Sequence, residues 1–305
     1  ISSAIEALPE SLSQEAKVEL KQLDAEPFVM HEDDHKLSVG TYYAIGRHKV
    51  CFNNDGSIAH HLDENGHDLA KEDGIGVYRY EAFGFEDYEQ FHRKYNRNFD
   101  LGKDWIWADF GKPGMEQVEP KVTHRLCKAN ENGIYLRREE DGWTVGVILC
   151  AEEDSPRGAP MNLALRYSFD QSGRLYCICL DWMDKEATRL PEALWLGVSL
   201  QMKHPGTWRM KKLGYDLELD NTVMNGSRSI HAVEQISFDG EDAIGIKNID
   251  SPLVSLDARK LLRFDNQLPQ GNGTFHFNLQ NNIWNTNFPL WYDQNGRSRL
   301  LFTYS

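Results

Sequence analysis

From Leu37 onward the chain consists of short, alternating apolar stretches separated by clusters of turn residues. The stretch "MNLALRYSFDQSGRLYCICLDW" (161–182) shows this most clearly. Its apolar residues alternate from Leu163 to Phe169, a turn follows at 170–173, and the run from Leu175 to Trp182 is apolar on both faces. Alternation indicates a strand with one buried face, and an apolar run of this length indicates a strand inside a sandwich. The pattern predicts antiparallel hairpins.

The same signature recurs along the rest of the chain. Turn clusters lie at 53–56, 140–142 and 238–242, and apolar runs occur in "WTVGVILCA", "ALWLGVSLQM", "AIGIKNI" and "RLLFTYS". One internal helix is predicted at "FEDYEQFHRKYNR" (85–97), where Phe85, Tyr88, Phe91 and Tyr95 share a face. We therefore predict a mainly β fold, a large antiparallel β-supersandwich with a short N-terminal helical segment and one internal helix.

Residues 1–24 have a helical pattern and not a strand pattern. Two short helices are separated by Pro9, and the second places Leu12, Ala16, Leu20 and Leu23 on one stripe. We expect residues 1–36 to be the tail of a preceding helical region, with an N-terminal arm folded onto the same domain as the alternative. Residues 37–305 are expected to form one β-supersandwich domain, because no Pro/Gly/Ser-rich linker or fixed-period repeat divides them.

Charge and hydropathy exclude two classes of partner. The chain has 33 Lys+Arg against 47 Asp+Glu, a formal charge of −14 that repels phosphate backbones and anionic bilayers. It also has no apolar run approaching the roughly 20 residues that span a bilayer. We expect neither nucleic acid nor a membrane as a partner. Localisation stays open, because free cysteines suit the cytoplasm whereas the sequons at Asn225 and Asn272 suit a secreted protein.

Motifs for nucleotide, serine-hydrolase and zinc-protease chemistry do not occur in the sequence. A histidine-rich stretch runs from His48 to His67, but His60 and His61 are adjacent in a predicted strand and should point to opposite faces. We therefore predict no metal site and no cofactor bound by this chain.

Three residues are weak catalytic candidates. Asp109 lies in "WIWADFGKPG" after two tryptophans, although the same stretch also fits a strand end followed by a turn. Lys112, in that turn, could meet an acidic group, although an exposed lysine on a Pro-Gly turn usually meets only water. His124 and His276 have the chemistry of a base in a polysaccharide lyase, which abstracts the C5 proton of a uronic acid, but both also fit structural roles.

The strongest functional signal is the stretch "FNLQNNIWNTNFPLWYDQNG" (277–296). It interleaves amides with aromatic rings, and the combination is typical of sugar binding because amides pair with hydroxyls while rings cover apolar sugar faces. The alternative is that the amides only cap turns. The candidate substrate-binding residues in this stretch are Asn281, Asn282, Trp284, Asn285, Asn287 and Trp291.

Three segments in order resemble a known family. They are "GVYRYEAFGFEDYEQFHRKYN", "WADFGKPGMEQVEP" and "FNLQNNIWNTNFPLWY", and the earlier "VCFNNDGSIAHHLDENGHDLA" also fits. Together they resemble the C-terminal β-supersandwich region of family 38 glycoside hydrolase-like proteins, the α-mannosidase-like group. The resemblance runs from about residue 45 to residue 305.

The resemblance implies that catalysis and part of the substrate binding belong to two different regions of the enzyme. In such enzymes the zinc, nucleophile and acid lie in an N-terminal α/β barrel that this chain does not contain, and loops of the sandwich complete the sugar pocket. Carried over to this sequence, the resemblance covers only Asn281, Asn282, Trp284, Asn285, Thr286 and Asn287 as substrate-binding residues. It also implies carbohydrate and a separate or missing catalytic barrel as partners. Two alternatives stay open, a stand-alone polysaccharide lyase and a non-catalytic carbohydrate-binding module.

Overall fold

The computed structural model describes residues 2–101, 103–286 and 288–304, and the fold is mainly β, as predicted. The helices are α1 (Ser2–Glu6), α2 (Glu10–Lys21), α3 (Phe85–Tyr95) and α4 (Lys103–Phe110), with a 3₁₀ turn at Met115–Gln117. The strands are β1 (His35–Leu37), β2 (Tyr43–Ile45), β3 (His48–Phe52), β4 (Ile58–Leu62), β5 (Ala70–Ala82), β6 (Arg125–Cys127), β7 (Ala129–Glu139), β8 (Gly142–Ala151), β9 (Asn162–Asp170), β10 (Leu175–Met183), β11 (Glu192–Leu200), β12 (Gly206–Lys212), β13 (Tyr215–Glu218), β14 (Ile230–Ala232), β15 (Gln235–Gly240), β16 (Ile244–Asn248), β17 (Leu253–Leu256), β18 (Thr274–Asn281) and β19 (Gly296–Tyr304).

Within the described residues, these strands form two antiparallel sheets. The ten-stranded sheet has the order β1-β7-β8-β9-β10-β19-β16-β15-β12-β13. The nine-stranded sheet has the order β14-β17-β18-β11-β5-β4-β3-β2, with β6 paired to β5. The hairpin predicted at 161–182 is β9–β10, and Leu165 lies opposite Leu180.

The main core lies between the two sheets and follows the predicted alternation. Leu163, Leu165, Tyr167 and Phe169 all face inward from β9 and are almost fully buried. Because successive strand residues face opposite sides, the intervening residues form the two outer faces of the sandwich. Those outer faces carry different structures.

The outer face of the ten-stranded sheet is crossed by residues 22–34, here called the N-terminal strap. Helix α2 ends at Lys21, so helices occupy only part of the segment 1–36. Phe28 of the strap packs where a side chain at Gly146 would stand, and its ring stacks on Tyr135. The predicted apolar stripe remains outside this packing, since Leu12 on α2 and Leu23 at the start of the strap are about half exposed.

The outer face of the nine-stranded sheet is covered by α3, α4 and the segment 257–266. Helix α3 confirms the predicted internal helix. Helix α4 is a difference, because "WIWADF" fitted a strand end before a turn but forms a second internal helix. Ile106 is buried and Trp107 packs against Tyr88, contacts that helical spacing makes possible. No helix among the described residues has the length and apolar character to cross a bilayer.

Candidate functional site

A groove of about 510 Å³ opens on the outer face of the nine-stranded sheet. It lies where the C-terminal end of α3, the end of α4, the segments 226–230 and 260–266, and the end of β18 meet. Its lining combines aromatic rings with amides and charged groups: Phe91, Tyr95, Phe110, Phe264 and Trp284 with Asn96, Asn281, Arg228, Lys260, Arg263 and Asp265. A concave site with apolar walls and a few polar groups is the usual form of a ligand pocket.

A second hydrophobic cluster supports the groove from below. It contains Phe83, Tyr88, Met115, Ala193, Trp195, Leu261, Leu262 and Ile283. The buried Tyr88 hydroxyl donates to the main-chain oxygen of Ile283 at 2.6 Å, which ties α3 to the segment after β18. Trp284 follows, with its ring centroid 5.4 Å from Phe91 and 5.9 Å from Phe110. The ring of Trp284 is therefore held between two helices.

The amide cluster, the asparagines of the stretch 277–296, contains two neighbours with different surroundings: Asn281 at the groove and Asn282 in the interior. Asn281 lines the groove, and its Nδ2 donates to Asn278 Oδ1 at 2.7 Å. Asn282 is buried, and its Oδ1 accepts from the Glu192 N–H at 2.8 Å. Its Nδ2 lies 3.0 to 3.1 Å from the main-chain oxygens of Thr188, Leu190 and Leu290. The amide hydrogens of Asn282 thus hold two loops together.

The remaining candidates from the stretch 277–296 follow Asn282 and Trp284 in sequence. Asn285 joins α4, since its N–H donates to the Asp109 oxygen at 3.0 Å and its Nδ2 to the Ala108 oxygen at 2.8 Å. Thr286 follows and is half-buried. Asn287 lies outside the described residues. Trp291 is not in the groove lining and carries Arg189 over its ring at 4.5 Å. The structure therefore places Asn281 and Trp284 at the groove and Trp291 away from it.

Asp109 is exposed near the end of α4. Its main-chain oxygen accepts from Asn285, but the residue does not line the groove. Nothing in its surroundings buries the carboxylate in the way that a general acid requires.

His124 is part of a charged network beside the groove. Its Nδ1 is 3.3 Å from Asp87 Oδ2, and its Nε2 is 3.6 Å from Glu81 Oε1 and 3.2 Å from Arg263 Nη2. Burial raises the pKa of Glu81, whose Oε2 accepts from Trp195 Nε1 at 2.8 Å. Both ring nitrogens of His124 therefore have neighbours within the fold.

His276 lies on β18 on the same outer face. Burial, with Arg259 nearby, lowers the pKa of His276 to about 3, so the imidazole is neutral at ordinary pH. It packs against β11 at Gly197, where a Cβ would stand 3.3 Å from its Nδ1. His276 does not line the groove. The structure does not bring His124 and His276 together into one open site.

Of the two alternatives for Lys112, the exposed lysine that meets only water is wrong. It is buried and not exposed, and its Nζ has no hydrogen-bond partner among the described residues. Burial lowers the pKa of Lys112 to about 8, while Glu192 nearby acts in the opposite direction. Glu192 is itself fully buried and accepts from Lys185 at 2.6 Å and from Tyr80 at 2.8 Å. No turn motif could reveal this, because the surroundings come from β5 and β11.

The histidine-rich stretch forms a separate hollow of about 300 Å³ at another position on the sandwich. His60 is exposed and His61 buried, as the strand pattern predicts. His61 Nε2 is 3.0 Å from His48 Nδ1 and 3.0 Å from the Gly173 oxygen. Across residues 2–101, 103–286 and 288–304, no group of three or more His, Cys, Asp or Glu side chains is arranged to hold a metal ion.

Comparison with known proteins gives a family for the chain. No curated protein matches it. Residues 1–176 match the family model described as a domain of unknown function, DUF5054, and this match covers more than half of the chain, from the N-terminal helices into β10. The chain therefore belongs to the DUF5054 family.

Proposed function

We propose that this chain is the β-sandwich portion of a carbohydrate-active enzyme of the α-mannosidase-like glycoside hydrolase type, with its groove binding the sugar and the catalytic residues outside this chain. The observation that carries the proposal is the position of Trp284 between Phe91 and Phe110, with Asn281 at the same groove. Aromatic faces cover the apolar side of a pyranose ring, and amides supply the donors and acceptors for its hydroxyls.

Each of the three segments that resemble the α-mannosidase-like group contributes residues to this groove, alongside the segments 226–230 and 260–266. The first segment contributes Phe91 and Tyr95 from α3, the second contributes Phe110 from α4, and the third contributes Asn281 and Trp284. Segments far apart in sequence that converge on one site are expected when the site is functional. This convergence supports the proposal more strongly than any one motif.

The charges in the groove support a binding role and not bond cleavage by this chain alone. Glycoside hydrolysis requires two carboxylates flanking the scissile bond. Among the described residues of the groove lining, Asp265 is the sole carboxylate, and it forms an ion pair with Lys260 at 2.6 Å. We therefore expect the acid and the nucleophile to come from another part of the enzyme.

The two alternatives differ in how well they fit this geometry. A stand-alone lyase needs an open histidine base, whereas His276 is largely buried and His124 already has Asp87, Glu81 and Arg263 as neighbours. A non-catalytic carbohydrate-binding module would use the same groove. It differs from our proposal only in lacking an associated catalytic barrel.

The test is the affinity of the 305-residue chain for an α-linked mannotetraose, measured by isothermal titration calorimetry. We expect saturable binding, and we expect Trp284→Ala to weaken it by roughly thirtyfold, as for a central aromatic contact worth about 2 kcal/mol. Trp105→Ala is the matched control, because Trp105 lies on α4, as the groove residue Phe110 does, but is exposed and outside the groove lining. Equal loss in both variants, or chelator-insensitive glycoside turnover by the chain alone, would contradict the proposal.

A further inference from the structure

We propose that the glycan bound in the groove is anionic, carrying a carboxylate or sulfate that Arg228 and Arg263 recognise. This inference rests on the proposed function, because it concerns the ligand of the same groove. It goes further by naming a charged substituent that a neutral mannoside lacks.

Arg228 is the first reason. It lines the groove, and its Nη1 donates to the main-chain oxygen of Asn266 at 3.1 Å. Its Nε is buried with no hydrogen-bond partner in the described part of the chain, and Arg228 forms no ion pair there. A buried donor on a cation is costly when unpaired, and the guanidinium fork fits a carboxylate or sulfate. An anionic ligand in the groove would compensate the charge of Arg228, which no described carboxylate pairs with.

Arg263 is the second reason. It lines the same groove, and its Nη2 is 3.2 Å from His124 Nε2. The carboxylates that interact with Arg263, Glu81 and Asp87, are also the neighbours of His124. In the described residues Arg263 forms no ion pair of its own. Its charge is therefore only partly compensated, by Glu81 and Asp87, and its side chain is exposed at the groove.

The third reason is the balance of charge in the groove. Lys260 and Asp265 neutralise each other in their ion pair, which leaves the two arginines as the lining cations that form no ion pair among the described residues. The whole chain carries a formal charge of −14, so a cationic groove is opposite in sign to the rest of the protein. Such a local reversal favours an anionic ligand over a neutral one.

The experiment compares three tetrasaccharides on the full 305-residue chain by calorimetry at fixed ionic strength: neutral α-mannotetraose, an oligogalacturonate and a sulfated galactose oligomer. We expect at least one anionic ligand to bind tenfold or more tightly than the neutral one. Arg228→Gln and Arg263→Gln should each weaken anionic binding by roughly ten- to hundredfold, a loss at least tenfold greater than any loss of neutral binding. Arg138→Gln, which removes a positive charge on the other sheet, is the matched control and should leave both affinities unchanged.

The outcomes separate this inference from the proposed function. Equal affinity for neutral and anionic ligands, both lost in Trp284→Ala, would overturn the inference and leave the proposed function in place. Inorganic sulfate that binds as tightly as the sulfated oligomer would also overturn it, since no sugar would then be recognised. Absence of binding by every saccharide would overturn the proposed function. If Arg228→Gln does not fold, Arg228→Lys and Arg263→Gln carry the test, and retention of the full anionic preference in both would contradict the inference.

Discussion

The two outer faces of the sandwich differ in how completely their partly buried cations are paired. On the ten-stranded sheet, the N-terminal strap is held by satisfied ion pairs: Asp181 with Arg166 and Arg297, and Asp34 with Arg137. On the nine-stranded sheet, Arg228 and Lys112 each bury a donor atom without a partner among the described residues. Paired charges fix a segment in place, whereas unpaired ones reduce stability and leave binding capacity. The comparison supports a structural role for the pairs on the first face and the proposed binding role for the groove on the second.

Breaking the paired face should give the largest effect on stability. Asp181 is fully buried, with Arg297 Nε at 2.7 Å from Oδ1 and Arg166 on Oδ2. We expect Asp181→Ala to lower the free energy of unfolding by about 3 kcal/mol, because two cations lose their partner. Urea denaturation measures this change in the free energy of unfolding. Asp154→Ala, which breaks an exposed pair with Arg125, is the control and should cost less than about 1 kcal/mol. Similar costs for the two variants would remove the basis of the comparison.

Substitutions at the neighbouring residues Asn281 and Asn282 should affect different properties, glycan binding at the first and stability at the second. We expect Asn282→Ala to lower the free energy of unfolding by about 2 kcal/mol, since it leaves the Glu192 N–H and loop carbonyls unpaired. Asn281→Ala should leave stability within about 0.5 kcal/mol and weaken glycan binding instead. Paired denaturation and calorimetry measure both quantities. A stable Asn282→Ala variant with no glycan affinity would show that Asn282 contacts ligand.

The unpaired lysine should make stability depend on pH. The folded-state pKa of Lys112 is about 8, below its ordinary 10.5, so the unfolded chain binds more protons between these values. The contribution of Lys112 to stability therefore rises from pH 8 to pH 10.5 and is lost as pH falls. We expect Lys112→Met to be more stable than the native chain at pH 7, by on the order of 1 kcal/mol, with the difference shrinking toward pH 10.5. A difference that stays constant with pH would contradict this assignment.

The smallest effect is expected at Trp291. The ring is half exposed and contacts Arg189, so Trp291→Ala should cost about 0.5 to 1 kcal/mol of stability. Glycan affinity should change by less than about threefold, because the ring does not line the groove. A loss of glycan affinity as large as that in Trp284→Ala would extend the binding site beyond the groove to Trp291.

Local pattern was sufficient for most of the fold. Alternation predicted the β9–β10 hairpin, and one-faced aromatics predicted α3, because strand and helix periods differ clearly over those lengths. Helix α4 was missed because "WIWADF" is short and largely apolar, so either period fits. Tertiary contacts with α3 favour the helix over the strand in this segment.

The candidate site was predictable by region but not by residue. The amide and aromatic composition of 281–291 indicated a functional segment, yet it could not separate Asn281 from Asn282. That choice depends on Glu192, which lies 90 positions away in sequence and whose main-chain N–H donates to the side-chain oxygen of Asn282. Likewise, the burial of Lys112 and the lack of partners for Arg228 depend on distant elements.

The most direct measurement is a crystal structure of the chain with a bound tetrasaccharide. We predict a sugar ring against Trp284, hydrogen bonds from Asn281, and any anionic group within hydrogen-bond distance of Arg228 or Arg263. A sugar bound in the histidine-lined hollow near His48 and His67, with the groove empty, would contradict the assignment of function to the outer face of the nine-stranded sheet.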